Sequence, residues 1–260
     1  MDLCGFKIWK EKHLVDAGVL NMSERISRIK TGIEGLDILT GGGLPAGRTY
    51  LVAGGSGTGK TIMSLQYVYG GVRHGDAGVY VTIDESPHHI LEDAYSIGWD
   101  LEKLIDENKL LMVEFTPLFS DTMKIDADKV LDELKGLISQ VDARRLVIDP
   151  VAPLVLRGTE MMDMMAAQMV VRNYIRRLIM GLDEFNVTTL ATSEIPTGTN
   201  RLSRYGVEEF LASGVIVLRL RRINGNFVRE LYIRKMRGVN HSLNVCNFVI
   251  QYGKGIVIPI

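Results

Sequence analysis

Short apolar, β-prone runs alternate with segments of helical periodicity through the first three quarters of the chain. In the helical segments apolar residues recur three or four positions apart, as expected for a helix that packs one face on a core. The pattern predicts five strands, at 49–53, 78–83, 110–115, 146–148 and 187–191. It predicts four helices between them, at 61–69, 87–97, 126–141 and 161–185. Such alternation is typical of parallel βαβ units, so we expect an α/β fold with a mostly parallel sheet flanked by helices.

The last quarter of the chain has a different pattern. Four β-prone runs follow one another without an intervening helical segment, at 215–223, 227–237, 245–251 and 255–258. The first two flank Asn224-Gly225, the dipeptide that most strongly favours a tight β-hairpin turn. We therefore expect the parallel core to continue into a C-terminal antiparallel hairpin extension.

Residues 27–260 are predicted to form one domain, and residues 1–26 an N-terminal extension that precedes it. Hydrophobic residues make up 46% of the 260 positions and charged residues 23%, which is enough for a sizeable core. Lys and Arg total 30 and Asp and Glu total 31, so the net charge is −1. This balance excludes a bulk polyanion binder and restricts any nucleic-acid contact to a local patch.

The sequence indicates neither a membrane span nor secretion. Its apolar runs, such as 214–218, are far shorter than the roughly 18 residues that cross a bilayer. The N-terminus has no continuous apolar segment of the kind found in signal peptides. The two cysteines, Cys4 and Cys246, form neither a disulfide framework nor a metal-site spacing. We expect a cytoplasmic protein with no membrane partner.

A glycine-rich loop follows the strand 49–53 and precedes the helix 61–69. It fits the pattern G-x-x-x-x-G-K-[ST] and comprises Gly54, Gly55, Ser56, Gly57, Thr58, Gly59, Lys60 and Thr61. Backbone N–H groups of such a loop converge on phosphate oxygens, and the helix N-terminus adds partial positive charge. Lys60 is predicted to reach the β- and γ-phosphates and Thr61 to bind Mg²⁺. The alternative, a turn that binds nothing, is disfavoured by the strand–loop–helix context.

The magnesium ion of a bound nucleotide requires a carboxylate ligand, and Asp149 follows the predicted strand 146–148. Ligands of α/β sheets lie at the carboxyl ends of the strands. This segment looks like a Walker B strand, so Asp149 is predicted to hold Mg²⁺ directly or through water. The alternative is a turn aspartate before Pro150, and the nearby phosphate loop favours the metal ligand.

Two adjacent carboxylates, Asp84 and Glu85, end the predicted strand 78–83. Hydrolysis needs a group that positions or deprotonates water. Adjacent strand residues face opposite ways, so one of the pair can point at the γ-phosphate while the other faces away. We favour Glu85 as the base and Asp84 as its neighbour. A helix N-cap pair before Pro87 is an equally weighted alternative on spacing alone.

With these residues placed, the chain resembles the KaiC family within the RecA-like ATPases, from about residue 28 to the C-terminus. The phosphate loop is the first mark of the resemblance. The others are the segments 31–37, 41–45, 79–90, 98–100, 204–210 and 235–238, with His241 following. Each short segment is weak by itself, and together they are highly specific.

The resemblance implies that ATP, rather than GTP, binds between the subunits of a homo-oligomeric ring, usually a hexamer. It also implies that Asp84 and Glu85 are the catalytic pair and that Lys235 and Arg237 reach the phosphates of the neighbouring subunit. A two-residue period places Lys235 and Arg237 on one face of a strand, in agreement with this role. Without the resemblance, a solvated charge pair on an edge strand would be preferred.

Two further sets of polar residues follow predicted strands. RecA-like ATPases sense the γ-phosphate after the fifth strand, where this chain has Glu194. Arginines at 157, 201 and 204 lie where recombinases contact DNA in the centre of the ring. No aromatic stacking platform accompanies them, so DNA is a weakly supported partner.

The sequence departs from the circadian clock protein of the family in two ways. The clock protein carries two such domains in tandem, and this sequence matches one. Its second half phosphorylates itself at an adjacent Ser–Thr pair, and the sequence around Ser203 has no such pair. The resemblance therefore does not extend to a clock role or to autokinase activity.

The resulting hypothesis is a Mg²⁺-dependent ATPase that acts as a ring in regulation or signalling, with a protein partner that the sequence does not identify. A nucleotide-gated scaffold with little turnover is the first alternative. A recombination accessory protein that binds single-stranded DNA is the second.

Overall fold

The computed structural model describes residues 27–115, 126–151, 164–199 and 201–259. Within these ranges, nine strands form one sheet in the order β11-β10-β9-β8-β3-β7-β6-β4-β5. A short antiparallel pair, β1 and β2, stands apart from it. The strands are β1 (Arg28–Ile29), β2 (Leu44–Pro45), β3 (Thr49–Gly54), β4 (Ala77–Thr82), β5 (Leu110–Glu114), β6 (Ala143–Asp149), β7 (Thr188–Glu194), β8 (Gly214–Ile223), β9 (Asn226–Met236), β10 (Cys246–Gln251) and β11 (Gly255–Val257).

Helices connect the parallel strands and cover both faces of the sheet. They are α1 (Glu34–Leu39), α2 (Lys60–Arg73), α3 (Pro87–Ser96), α4 (Glu102–Asp106), α5 (Ala127–Val141), α6 (Met164–Glu184) and α7 (Glu208–Leu211). One hydrophobic cluster joins α1, α2 and α3 to one face of the sheet. A second joins α5 and α6 to the opposite face. This is an α/β architecture with a mostly parallel sheet, as the sequence pattern predicted.

The predicted elements are confirmed, with shifts at their ends. β6 begins three residues before the predicted 146, and β7 continues to Glu194 rather than ending at 191. Ser193 and Glu194 therefore lie in the strand, and the expectation that they follow it was wrong. The short helices α1, α4 and α7 and the strands β1 and β2 were not predicted. They are too short to show a helical or two-residue period.

The C-terminal hairpin forms around the predicted turn. Asn224 has φ 49° and Gly225 has φ 86°, and positive φ at both central residues suits a two-residue hairpin turn. β8 runs parallel to β3, while β9, β10 and β11 continue the sheet in antiparallel order. The antiparallel strands β9, β10 and β11 thus form one side of the same sheet as the parallel strands.

Candidate functional site

The carboxyl ends of four neighbouring parallel strands bring the predicted site residues to one edge of the sheet. Gly54 at the end of β3 pairs with Glu194 at the end of β7. Asp149 at the end of β6 pairs with Thr82 at the end of β4. β7 lies between β3 and β6. The strand order therefore gathers residues that are far apart in the sequence into one candidate nucleotide site.

The phosphate loop joins the end of β3 to the first turn of α2. Gly57 has φ 72° and Gly59 has φ 102°, conformations that residues with a side chain rarely adopt. A Cβ on Gly55 would meet no atom within 4 Å, so the loop borders open space there. The Thr58 hydroxyl donates to the carbonyl of Gly55 at 2.8 Å and braces the loop. These features fit a cradle for an anionic group at the α2 N-terminus.

Lys60 lies at the start of α2 and points back into the loop. Its Nζ donates to the carbonyl oxygen of Gly55 at 2.9 Å. Burial lowers the pKa of the Lys60 ammonium, and the nearby carboxylates of Asp149 and Glu194 raise it. The single cation of the loop therefore faces the carboxylates at the ends of β6 and β7.

Asp149 is a buried carboxylate held by two hydroxyl groups. Tyr80 on β4 donates to Oδ2 at 2.7 Å, and Thr192 on β7 donates to Oδ1. Asp149 is only 9% exposed and Tyr80 is fully buried. A carboxylate has about four acceptor positions, so two bonds leave capacity for a metal ion or its water. Sequence analysis missed Tyr80 and Thr192, because only the strand register brings them to Asp149.

The structure brings Asp84 and Glu85 to the same edge, in the turn after β4. Partial burial raises the pKa of both carboxyl groups, and the charge of Asp149 raises both further. Arg204 lowers the pKa of Asp84, and His89 lowers that of Glu85. Because β4 ends at Thr82, strand alternation does not set their directions.

Different neighbours distinguish the two carboxylates. Asp84 interacts with Glu194 and Arg204, on the side of the phosphate loop. Glu85 interacts with His89 and Asp93, on the side of α3. The side chain of Glu194 also forms an ion pair with Arg204 at 3.4 Å. Ser86 caps α3, so the N-cap role considered for the acidic pair belongs to Ser86.

Lys235 and Arg237 lie at the amino ends of the parallel strands, opposite the carboxyl ends that carry the candidate nucleotide site. Met236 pairs with Gly214 at the start of β8, and Gly214 pairs with Tyr50 near the start of β3. A strand rises about 3.3 Å per residue, so the four steps from Tyr50 to Gly54 separate this level of the sheet from the phosphate loop of the same chain by roughly 13 Å. Within the described residues, the fold does not bring Lys235 and Arg237 into the candidate nucleotide site of the same chain.

The two basic side chains meet at one backbone carbonyl, although Arg237 lies one residue beyond the end of β9 at Met236. The Lys235 ammonium and the Arg237 guanidinium both donate to the carbonyl of Phe210, at 3.1 and 3.0 Å. Burial lowers the pKa of the Lys235 ammonium, and Arg237 lowers it further. Two like charges are thus held side by side at the end of α7.

Some expectations concern residues outside the described ranges, namely the extension 1–26 and Arg157. Among the helices that the structure describes, none has the length and hydrophobicity needed to cross a bilayer. No group of three or more His, Cys, Asp or Glu in the described part is clustered for a metal. Thr61 and Asp149 supply hard oxygen donors, which suit Mg²⁺ with phosphate and water as its other ligands. The donor set therefore fits the predicted ion.

Comparisons with known proteins agree with this geometry. The family model described as "ATPase: KaiC" matches residues 29–259. The circadian clock oscillator protein KaiC 1 of Synechocystis is 36% identical over 239 residues, which cover 90% of this chain and 45% of that protein. The KaiC of Synechococcus elongatus is 37% identical, covering 87% and 43%. The chain thus spans less than half the length of these curated relatives.

A solved structure shares both the fold and the sequence. It is the KaiC-like protein of the hyperthermophilic archaeon Pyrococcus horikoshii OT3, which superposes with a TM-score of 0.77 at 37% identity. The match covers 90% of this chain and all of that one. The RecA-like fold, the phosphate loop and the matched region together show that the chain belongs to the KaiC family of ATPases.

Proposed function

We propose that the protein is a Mg²⁺-dependent ATPase that works as a ring of identical subunits, six by family resemblance, in a regulatory or signalling role. The observation that supports it best is the position of Lys235 and Arg237. They lie at the sheet edge opposite the phosphate loop of their own subunit. If they serve a nucleotide, it is one bound to another copy, and head-to-tail contacts of this kind form a ring when the rotation between copies closes.

Each residue at the nucleotide edge has a proposed role. The loop from Gly54 to Thr61 binds the phosphates, and Lys60 neutralises charge on the β- and γ-phosphates. Thr61 and Asp149 hold Mg²⁺, which neutralises charge that develops on the phosphate oxygens. Glu194, at the end of β7, is the proposed sensor of the γ-phosphate.

Glu85 is the proposed general base and Asp84 its neighbour. A base must be deprotonated and close to the attacked phosphate, and both carboxylates lie at the correct edge. Asp84 lies on the side of the phosphate loop, so Asp84→Asn has to be tested alongside Glu85→Gln. We expect Glu85→Gln to retain ATP binding and lose turnover. Equal turnover in Glu85→Gln and the parent would overturn the base assignment.

The first experiment measures phosphate release from Mg-ATP against protein concentration. We expect specific activity to rise with protein concentration and then level off, because sites that are completed between subunits form only on assembly. Binding of ATP with negligible turnover at every concentration would instead support the nucleotide-gated scaffold. Lys60→Ala is the control for binding and is expected to abolish tight ATP binding.

Mixed rings test the sharing of residues directly. Lys60→Ala removes the phosphate loop cation, and Lys235→Ala removes the residue offered to the neighbour. Each variant alone is expected to be inactive. Random 1:1 mixing gives a complete site at about a quarter of the interfaces of a head-to-tail ring. Recovery of about this share of activity supports the proposal, and no recovery rejects it.

A further inference from the structure

The segment from Ser203 to Ala212 connects the two ends of the parallel strands. The carboxyl ends carry the candidate nucleotide site, and the amino ends lie near Lys235 and Arg237. The segment begins beside the end of β7 and includes α7. It ends just before β8, where Arg237 N–H donates to Ser213 O at 2.8 Å. Its buried acidic residue is Glu208, which has no solvent exposure and lies outside the proposed nucleotide site.

The carboxylate of Glu208 organises the first half of this segment. Its Oε1 accepts from Tyr205 N–H at 3.3 Å and from the Ser193 hydroxyl at 3.4 Å. Its Oε2 accepts from Val207 N–H at 3.1 Å and from the Ser203 hydroxyl at 2.6 Å. Each carboxylate oxygen thus contacts one backbone amide and one hydroxyl, and Glu208 shares the Ser203 hydroxyl with the carboxylate of Glu209. The four bonds fix the turn before α7 against β7.

The second half of the segment holds Lys235. The ammonium donates to the carbonyls of Glu209, Phe210 and Ala212 at 3.0, 3.1 and 2.7 Å. An ammonium has three hydrogens, so all of its donors are engaged. The position of Lys235 is consequently set by where these three carbonyls lie. Glu208 immediately precedes the first of them and anchors the whole turn.

The same segment also contacts the nucleotide edge. Arg204 N–H donates to the Ser193 hydroxyl at 3.1 Å, and the Arg204 guanidinium pairs with Glu194 at 3.4 Å. Ser193 in turn donates to Glu208. Hydrogen bonds from Glu194 to Glu208, and the backbone that follows Glu208, therefore connect the nucleotide edge to the carbonyls that hold Lys235.

We propose that Glu208 is a positioning residue for the pair that each subunit offers to its neighbour. By anchoring α7 to β7, it sets the carbonyls that orient Lys235 and Arg237. It acts through these residues and does not touch the nucleotide of either subunit. This inference rests on the proposed function, in which the pair completes the adjacent site.

Glu208→Gln is a sharp test because a carboxamide cannot satisfy the site in either orientation. One backbone amide donates to each oxygen of Glu208, so the NH₂ group of glutamine must face either Tyr205 N–H or Val207 N–H. The side-chain volume is unchanged, yet one bond becomes a donor–donor contact. A 1 Å displacement of a catalytic group can lower the rate about 100-fold.

We expect Glu208→Gln to lower kcat by about 10- to 100-fold while the Kd for a fluorescent ATP analogue stays within about twofold. Asp37→Asn is the control for the same acid-to-amide change at a buried position far from Lys235. Asp37 is 8% exposed and accepts one backbone amide and one hydroxyl, both from Thr31 and both at Oδ1. The amide oxygen of asparagine can keep both bonds, so this variant should lose less stability than Glu208→Gln and show no fall in kcat. Equal falls in kcat for both variants would overturn the proposal.

Mixed rings decide on which side of the interface Glu208 acts. A Glu208→Gln subunit keeps its own phosphate loop, but the Lys235 and Arg237 side chains that it presents to the neighbouring subunit are displaced. Mixing it with Lys60→Ala should therefore restore activity, and mixing it with Lys235→Ala should not. The reverse result would mean that Glu208 serves its own nucleotide site, and the inference would be wrong. The mixture of Lys60→Ala with Lys235→Ala tests the proposed function separately, since it contains no change at Glu208.

Ser203→Ala provides a second variant in case Glu208→Gln does not fold. It removes one hydroxyl donor from Glu208 and keeps the carboxylate with both amides. A smaller fall in kcat is expected, with the same complementation by Lys60→Ala. Unchanged kcat in Ser203→Ala, together with the failure of Glu208→Gln to fold, would reduce Glu208 to a structural residue and reject the inference.

Discussion

The hydroxyl of Tyr80 offers the sharpest test of the proposed metal site. Tyr80→Phe deletes one oxygen atom, which donates to Oδ2 of Asp149 at 2.7 Å from a fully buried position. The carboxylate then keeps the Thr192 hydroxyl as its described side-chain donor. We expect two separate losses, one in folding stability and one in the apparent affinity for Mg²⁺.

The hydrogen bond that Tyr80→Phe removes determines the expected loss of stability and of Mg²⁺ affinity. A hydrogen bond to a charged group stabilises a protein by about 1.5–3 kcal/mol, so the free energy of unfolding should fall by that amount. Partners that orient a metal-binding carboxylate typically change metal affinity by about 10- to 100-fold. The Mg²⁺ concentration that half-saturates ATP binding should rise by a factor in that range.

Tyr67→Phe is a matched control for the same chemical change. Tyr67 is equally buried, but its hydroxyl donates at 2.9 Å to a neutral acceptor, the backbone carbonyl of Thr188. The expected loss is about 0.5–1.5 kcal/mol, with no change in the Mg²⁺ requirement. Urea unfolding measures the stabilities, and titration with Mg²⁺ in the presence of a fluorescent ATP analogue measures the metal affinity.

Together the two variants test whether the Tyr80 hydroxyl orients a metal-binding carboxylate. If Tyr80→Phe and Tyr67→Phe lose the same stability and have the same Mg²⁺ requirement, the Tyr80 hydroxyl does not orient a metal-binding carboxylate. If only stability differs, Asp149 is a buried charge that needs Tyr80 for folding, and its assignment as a metal ligand fails.

Two further predictions concern other parts of the molecule. Gln66→Leu removes an NH₂ group that three carbonyls share, those of Gly32, Lys254 and Ile256, and an oxygen that accepts from Ile256 N–H. The free energy of unfolding, measured in urea, should fall by about 2–4 kcal/mol, against less than about 0.5 for Gln140→Leu at an exposed position. Asp93→Asn should shift the acid limb of the kcat–pH profile to lower pH, because the Asp93 charge raises the pKa of Glu85 and a base loses activity when protonated. His89→Ala should shift it to higher pH, since His89 lowers that pKa. Shifts in the same direction would contradict the assignment of Glu85.

Local patterns in the sequence were enough for much of the fold and for the centre of the candidate site. The phosphate loop is eight consecutive residues whose chemistry needs only the strand before it and the helix after it. The turn at Asn224-Gly225 likewise depends on two residues and their backbone preferences. Long apolar periods predicted α5 and α6, because a helix of several turns repeats its buried face often enough to be recognised.

Sequence patterns did not predict the short elements or the exact ends of the strands. α7 has four residues and α1 has six, so neither repeats its buried positions often enough to show a period. β7 extends through Ser193 and Glu194 because the backbone of Gly54 pairs with Glu194 there. Such pairing depends on a partner strand more than 130 residues away.

Local sequence was sufficient to predict a phosphate loop, an aspartate at the end of a buried strand and two basic residues at a two-residue spacing. The surroundings of these residues depend on the tertiary structure. Tyr80 and Thr192 reach Asp149 across 69 and 43 residues, because strand order and register bring β4, β6 and β7 together. The same topology places Lys235 at the far edge of the sheet. Contacts between distant segments depend on the packing of whole elements, which no local pattern of residues records.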